Sequence, residues 1–426
     1  MPASTTGERA HRQPLSSGML LMAAACVVHV GNFAFQMIMG RMLAGSPGEF
    51  GVLNTMLNIF GFVAIPATAI QLTIARQTAI FADRGDTSSV GALLVRAGRK
   101  AMLVGAILFV GLLALSPWLK SFLQLTQYAP LVATAALIAC GAVAPVMLGG
   151  LQGLKRFDWM SIVNVGMPAV RILVGVGLVW FGWKASGALA GSVAGILFTI
   201  VLPLVLLREV LRRREAMRTL DTSSSYRYLG PTLLALVCYA GLVTLDLVVV
   251  KHYFTPEQTS DYAAASLFGR AVGWLISPLC TVLFPHVWDE SKHEANRALL
   301  FRFLLLAAGV GVAAALVCWA SAGLLTKLLL GRANAEVTAL IPVCAWAMLP
   351  IGVANVFLNF VMARGRYGFL VVFAVVALAY VGAFALWHDS VRHILEVVAV
   401  FGVITLVLFV VVTYAKPGPR KSDATA

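Results

Sequence analysis

Apolar runs of about 20 residues recur along the whole chain, and nothing else in the sequence limits its fold as strongly. A helix of that length crosses a hydrocarbon core of about 30 Å, and twelve such runs are legible. They cover residues 17–42, 50–74, 92–117, 129–151, 159–182, 187–207, 230–251, 262–284, 300–325, 337–362, 367–387 and 393–415. The 426 residues are 60% hydrophobic and 12% charged, whereas a soluble domain has about 25% charged residues. A strand barrel is excluded because the runs lack period-two alternation and are about twice the length of a barrel strand. The expected fold is an all-α polytopic membrane protein.

Basic residues set the orientation. Of the 32 Lys and Arg, Arg41, Lys120, Lys184, Lys251, Lys327, Arg332 and Arg392 fall on one margin, and Arg171 and Arg270 fall inside spans. The rest share the side of the N-terminus, so the positive-inside rule puts both termini in the cytoplasm. The net charge of +14 is spread over short loops, which points to topology and anionic lipid headgroups rather than to nucleic acid. Cys26, Cys140, Cys238, Cys280, Cys318 and Cys344 all lie in spans without metal-ligand spacing and read as small apolar residues. The N-terminal segment leads into a full-length span, so a retained first helix is expected rather than a cleaved signal.

The longest polar interruption, residues 207–228, separates spans six and seven and divides the chain into an N-terminal tail (1–16), a first lobe (17–207), a basic cytoplasmic linker (208–228), a second lobe (229–415) and a C-terminal tail (416–426). The lobes match one another. At an offset of 210, His29 meets Tyr239, Gln36 meets Asp246 and Arg41 meets Lys251; at 212, Phe50 meets Tyr262, Gly61 meets Gly273 and Pro66 meets Pro278. GLKRF (153–157) meets ARGRY (363–367) at 210. Agreement at three places argues for duplication. An even number of spans per half makes the repeats parallel, a transporter design with its substrate site near the midplane.

Polar residues recur at helical spacing inside these spans. His29, Asn32, Gln36 and Gly40 share a face of the first helix, and Asn54, Asn58 and Gly61 share one of the second. Ser266, Arg270 and Gly273 are the counterparts in helix eight, Tyr239 and Asp246 mark helix seven, and Asn355 and Asn359 form an i, i+4 pair in helix ten. Intramembrane charges normally face a bundle interior or an aqueous cavity. Two readings of Asp246 and Arg270 stand: cavity groups, or a buried salt bridge that pins helix seven to helix eight. The amides could serve as interhelical glue, His29 as a satisfied core histidine, and Arg41 and Lys251 as snorkelling end residues. Arg171 has no counterpart, since Val381 stands at offset 210. Trp118, Trp159, Trp180, Trp183, Trp288 and Trp387 sit near span ends as an interfacial belt.

No phosphate-binding Walker motif, HExxH, CxxC or GxSxG occurs, and no loop between spans is long enough to hold a catalytic domain. The expectation is a non-enzyme without cofactor.

GRMLAGSPGEFGVLN, GGLQGLKRFDW and LDLVVVKHYFTPEQTSDYAAASLFGRAVGWLISPLCTVLFPHV resemble the polysaccharide-transporter branch of the multidrug/oligosaccharidyl-lipid/polysaccharide exporter superfamily. The resemblance runs along the whole chain. It implies two six-helix lobes around a cavity, alternating access, and a polyprenyl-pyrophosphate oligosaccharide flipped across the bacterial inner membrane for surface polysaccharide or lipopolysaccharide biosynthesis. Arg270, with Arg41, Lys251 and Arg171, would meet the pyrophosphate, and Asn54, Asn58, Asn355 and Asn359 the sugars. Asp246, His29 and Gln36 would serve coupling or switching, with Na+ or H+ as coupling ion. Implied partners are the lipid-linked oligosaccharide, membrane lipids and a polysaccharide polymerase or export machinery. The alternatives are a cation-coupled multidrug exporter on the same fold, disfavoured because helix one carries Gln36 where such exporters often carry an acid, and a membrane-embedded polymerase or ligase.

Overall fold

A computed structural model describes residues 27–212, 223–286, 293–363 and 368–414. Every described element is helical. The helices are α1 (27–43), α2 (Glu49–Val63), α3 (Ile65–Asp83), α4 (Thr87–Ala114), α5 (Ser116–Phe122), α6 (Ala129–Gly153), α7 (Phe157–Leu178), α8 (Lys184–Leu206), α9 (Arg208–Arg212), α10 (Ser223–Tyr253), α11 (Pro256–His286), α12 (His293–Leu330), α13 (Ala335–Ala363), α14 (Leu370–Leu386) and α15 (Val391–Tyr414).

Seven described helical segments are long and apolar enough to cross a membrane, or eight when the bent pair α2 and α3 is counted as one span. The chain is therefore a multi-pass membrane protein. One of the seven, Phe157–Leu206, runs for 50 residues and doubles back: a π-helical turn, Val179–Trp183, joins α7 to α8. Gly182 at φ 88° and Lys184 at φ 49° reverse the chain there, and α7 packs along α8. The second expected span breaks into α2 and α3 at Ala64, with a bend of 42°. Pro66 follows at the start of α3, where its missing N–H is harmless. At the corresponding place in the second half, α11 is one uninterrupted helix.

Inside hydrocarbon every polar group needs an internal partner, and many hydroxyls here find one in their own helix. Thr134, Ser161, Ser192, Thr199 and Thr244 each donate to the carbonyl four residues earlier, the back-bonding that lets Ser and Thr sit in an apolar helix. Trp118, Trp159, Trp180, Trp183 and Trp387 are all exposed near helix ends, as an interfacial belt requires; Trp288 lies outside the described residues.

The chain divides into two compact units. Among the described residues, the first comprises 27–212 and 223–233 with Leu247–Ala264 and Thr326–Asn334; the second comprises Leu234–Asp246, 265–286, 293–325, 335–363 and 368–414. In the first, α6 packs against α3, α4 and α8, around a core that includes Phe81, Leu94, Met147, Leu151 and Val163. In the second, α13 packs against α15, and Phe369, Phe373 and Phe409 form one aromatic cluster. These units do not follow the linker, because two segments of the second half fold with the first. Residues 213–222 of that linker lie outside the described residues.

Candidate functional site

The two arginines inside spans occupy opposite electrostatic settings. In the second unit, α10 brings Asp246 and α11 brings Arg270 face to face. Arg270 Nη2 donates to both carboxylate oxygens of Asp246, at 2.9 and 3.0 Å. Its Nη1 donates to Ser266 Oγ at 3.2 Å and its Nε to the Val243 carbonyl at 3.1 Å. The side chains are 7% and 0% exposed. Tyr380 donates to the Leu242 carbonyl at 3.2 Å beside the pair, and Tyr239 to the Ile351 carbonyl at 3.4 Å. The expected face of helices seven and eight therefore carries a buried salt bridge with its surrounding donors satisfied.

In the first unit, Arg171 of α7 meets no carboxylate within ion-pair distance among the described residues. Nη1 donates to Asn32 Oδ1 at 3.0 Å, and the guanidinium lies over the Phe35 ring at 3.8 Å. The Nε–H is buried without a partner, and so is Oε1 of Gln36, one turn beyond Asn32 on α1. The helices approach closely at this level: a Cβ on Gly31 would stand 2.8 Å from Pro168. A half-buried guanidinium with an unused donor, next to neutral amides, is an electropositive setting for an anion; a cation would find no opposite charge there.

Arg41 and Lys251 lie at the margin poor in basic residues, where the first unit takes in segments of both halves. Lys251 is 1% exposed, with the carboxylates of Glu49 and Glu257 near enough to act on its charge. Glu49 also accepts from the Ala185 N–H at 3.0 Å, satisfying an orphan donor at the start of α8. Ser260 Oγ caps α2 in the same way, accepting from the Gly51 N–H at 3.1 Å. Gly48, at φ 79° with Pro256 close enough to exclude a Cβ, makes that turn glycine-only. His252 stacks on Phe122 with centroids 4.1 Å apart, its Nδ1 lies 2.6 Å from the Phe122 carbonyl, and Gln124 donates to the His252 carbonyl at 2.7 Å. Arg41 is exposed, its chain lying along Gly331.

The remaining candidates are scattered. Asn54 is buried and donates to the Phe50 carbonyl at 3.0 Å, while Asn58 is half-buried. Asn359 donates to the backbone and side-chain oxygens of Asn355, at 2.8 and 3.0 Å. His29 is exposed near the start of the described part of α1. Sequence reasoning missed Glu49, and it missed the pair formed by Gln71 and Gln152, whose amides meet at 3.0 Å between α3 and α6. Their partners stand 136 and 81 positions away, with no local periodicity to announce them. Among the described residues no cluster of metal-ligating side chains occurs.

No protein-family model matches the chain, and no curated protein sequence matches it either. Solved structures do match. An inward-facing multidrug resistance MATE transporter of the MOP superfamily aligns with a TM-score of 0.75 at 12% identity, covering 91% of this chain and 93% of its own. The lipid II flippase MurJ, in an inward closed conformation, aligns with 0.68 at 11%, covering 93% and 88%. A MOP superfamily transporter from Pyrococcus furiosus, described as having a binding pocket of reverse polarity that suggests a different function, aligns with 0.61 at 14%, covering 97% and 98%. This chain shares the fold of MOP superfamily transporters.

Proposed function

We propose that this protein is a flippase that moves a lipid-linked, polyprenyl-pyrophosphate oligosaccharide across the bacterial inner membrane. It works by alternating access of two parallel six-helix repeats, with twelve spans and both termini cytoplasmic, and it belongs to the polysaccharide-transporter branch of the superfamily. The observation that carries this reading is the charge of the first unit's membrane-level polar stripe: Arg171 has an unused buried donor, and Gln36 stands on α1 without a carboxylate. That stripe favours an anion over a cation.

The physical need agrees with the reading. Each sugar hydroxyl taken into hydrocarbon without a partner costs about 2–7 kcal/mol, which amides and water in a passage replace, while a prenyl tail can stay in lipid. A guanidinium offers forked donors to phosphate oxygens. Arg270 is held by Asp246 in this state, so its recruitment to pyrophosphate requires Asp246 to release it, whereas Arg171 needs no such release.

The second reading is a cation-coupled drug exporter, favoured by the alignment to a MATE transporter. Against it, Asp246 is fully buried with both of its oxygens on Arg270. A deletion strain separates the two. Intact lipid-linked units accumulating on the inner leaflet, rescued by wild type and not by Arg171→Ala, is the expected result. Normal surface polysaccharide with new drug sensitivity would overturn the flippase in favour of the exporter.

A further inference from the structure

The second unit carries a feature with no part in the proposed passage. Helices α12, α13 and α15 enclose a groove of about 630 Å³, lined by Leu316, Trp319, Val343, Trp346, Leu395 and Glu396 among others. It lies towards the ends of these helices on the margin poor in basic residues, the outer side in the proposed topology.

Its depth is unusual for what it holds. Trp319 and Trp346 stand eleven residues from the end of α12 and the start of α13, about 16 Å along each axis at 1.5 Å per residue. Both helices run past their apolar spans there: counted from the span margins at 325 and 337, the tryptophans lie about 9 and 14 Å inside, below an interfacial belt. Both rings are nonetheless open, 64% and 43% exposed. Trp346 is nine residues from Asn355, which places it on the opposite face of α13 from the amide pair.

Glu396 stands five residues into α15, about 7 Å from its start. Counted from the start of its apolar run at 393, Glu396 lies about 5 Å inside, and an exposed carboxylate there is stabilised by a cation that meets it. No described side chain does so. Arg392, one turn earlier, makes no ion pair with it, and His393 lies 3.8 Å from Asp389.

We propose that this groove is a lipid site for a phospholipid with an ammonium headgroup, its ammonium on the Glu396 carboxylate and its chains along Trp319 and Trp346. Charge complementarity selects the headgroup. An anionic lipid would set like charges together, and a ring-lined groove below a carboxylate fits an acyl chain hung from a cation. The site does not depend on what the protein carries.

The test uses the full-length protein in nanodiscs of equal phosphatidylethanolamine and phosphatidylglycerol, with retained lipids counted by native mass spectrometry. Wild type should retain phosphatidylethanolamine preferentially. Glu396→Gln should lose about tenfold of that preference, the scale of one charge-assisted hydrogen bond, and Glu396→Asp should keep most of it, with thermal unfolding unchanged in both. Chain-brominated phosphatidylethanolamine should quench wild-type tryptophan fluorescence more than its phosphatidylglycerol analogue does, a difference that a Trp319→Phe, Trp346→Phe variant abolishes. Equal retention of the two lipids by wild type, or a preference that survives Glu396→Gln, would overturn the proposal.

Discussion

Arg171 and Arg270 are the two basic residues that the sequence buries within apolar spans, yet they sit in opposite circumstances. Arg270 spends its Nη2 on one carboxylate and its other nitrogens on Ser266 and the Val243 carbonyl. Arg171 has a neutral amide, an aromatic face and a donor with nothing to bond. The first arrangement holds two helices together and is electrically closed. The second leaves a buried donor unsatisfied, which the proposed function assigns to an anion. The difference is one of bonding: one guanidinium is fully engaged by its neighbours and the other is not.

The largest expected effect breaks the closed member of this comparison. Arg270→Ala strands Asp246, and removing one partner of a buried pair costs about 3–5 kcal/mol. Thermal unfolding of the purified protein should show that loss, and the Asp246→Asn, Arg270→Met double variant should recover most of it. A double variant as unstable as the single would show that the pair is not the source of the effect.

Arg171→Ala should behave in the reverse way. It removes one hydrogen bond and one ring contact, about 1–2 kcal/mol together, and relieves an orphan donor, so the melting temperature should move little. Flipping should nevertheless fall by tenfold or more, because about 1.4 kcal/mol of lost charge-assisted contact is already a factor of ten. Arg171→Lys keeps the charge and loses the fork, and should fall between. Equal transport by all three proteins would remove Arg171 from the passage.

A smaller effect tests the outer margin. His252→Ala removes a ring stack and a hydrogen bond, about 1–2 kcal/mol, and should loosen the seam around the buried Lys251. A cysteine placed at Lys251 should then react with an impermeant thiol reagent faster than in the parent with His252. The smallest expected change is Asn359→Leu, which deletes an intrahelical amide contact worth about 0.6 kcal/mol, the average for hydrogen bonds in membranes; a loss several times greater would mean that the amide does more than tie its own helix.

Much of the fold was legible in the sequence because a bilayer leaves few alternatives. The positions of α6, α8, α13 and α15 follow the apolar runs to within a few residues, whereas α12 starts seven residues before its run and ends five after it. Pro66 marks a place where the second span can kink, but the hydropathy of residues 50–74 runs on without a gap and does not show that the helix breaks at Ala64. For the site, helical spacing put Asp246 and Arg270 on facing stripes but left open whether they served a cavity or each other; their bond depends on a helix crossing that spacing does not encode. Arg171 was the least conspicuous candidate, with no counterpart in the other repeat, and its partner Asn32 lies 139 positions away. Segments 247–264 and 326–334 join the first unit through caps and close backbone contacts such as those of Gly48 and Gly51, which leave no trace in hydropathy.

The most direct measurement reconstitutes the purified protein in liposomes with a fluorescent polyprenyl-pyrophosphate disaccharide and follows its appearance in the opposite leaflet with an impermeant quencher. Wild type should flip it, a neutral prenyl disaccharide without the pyrophosphate should move far more slowly, and Arg171→Ala should erase the difference between the two. Equal rates for the charged and neutral lipids in wild type would contradict the claim that the open guanidinium reads an anion.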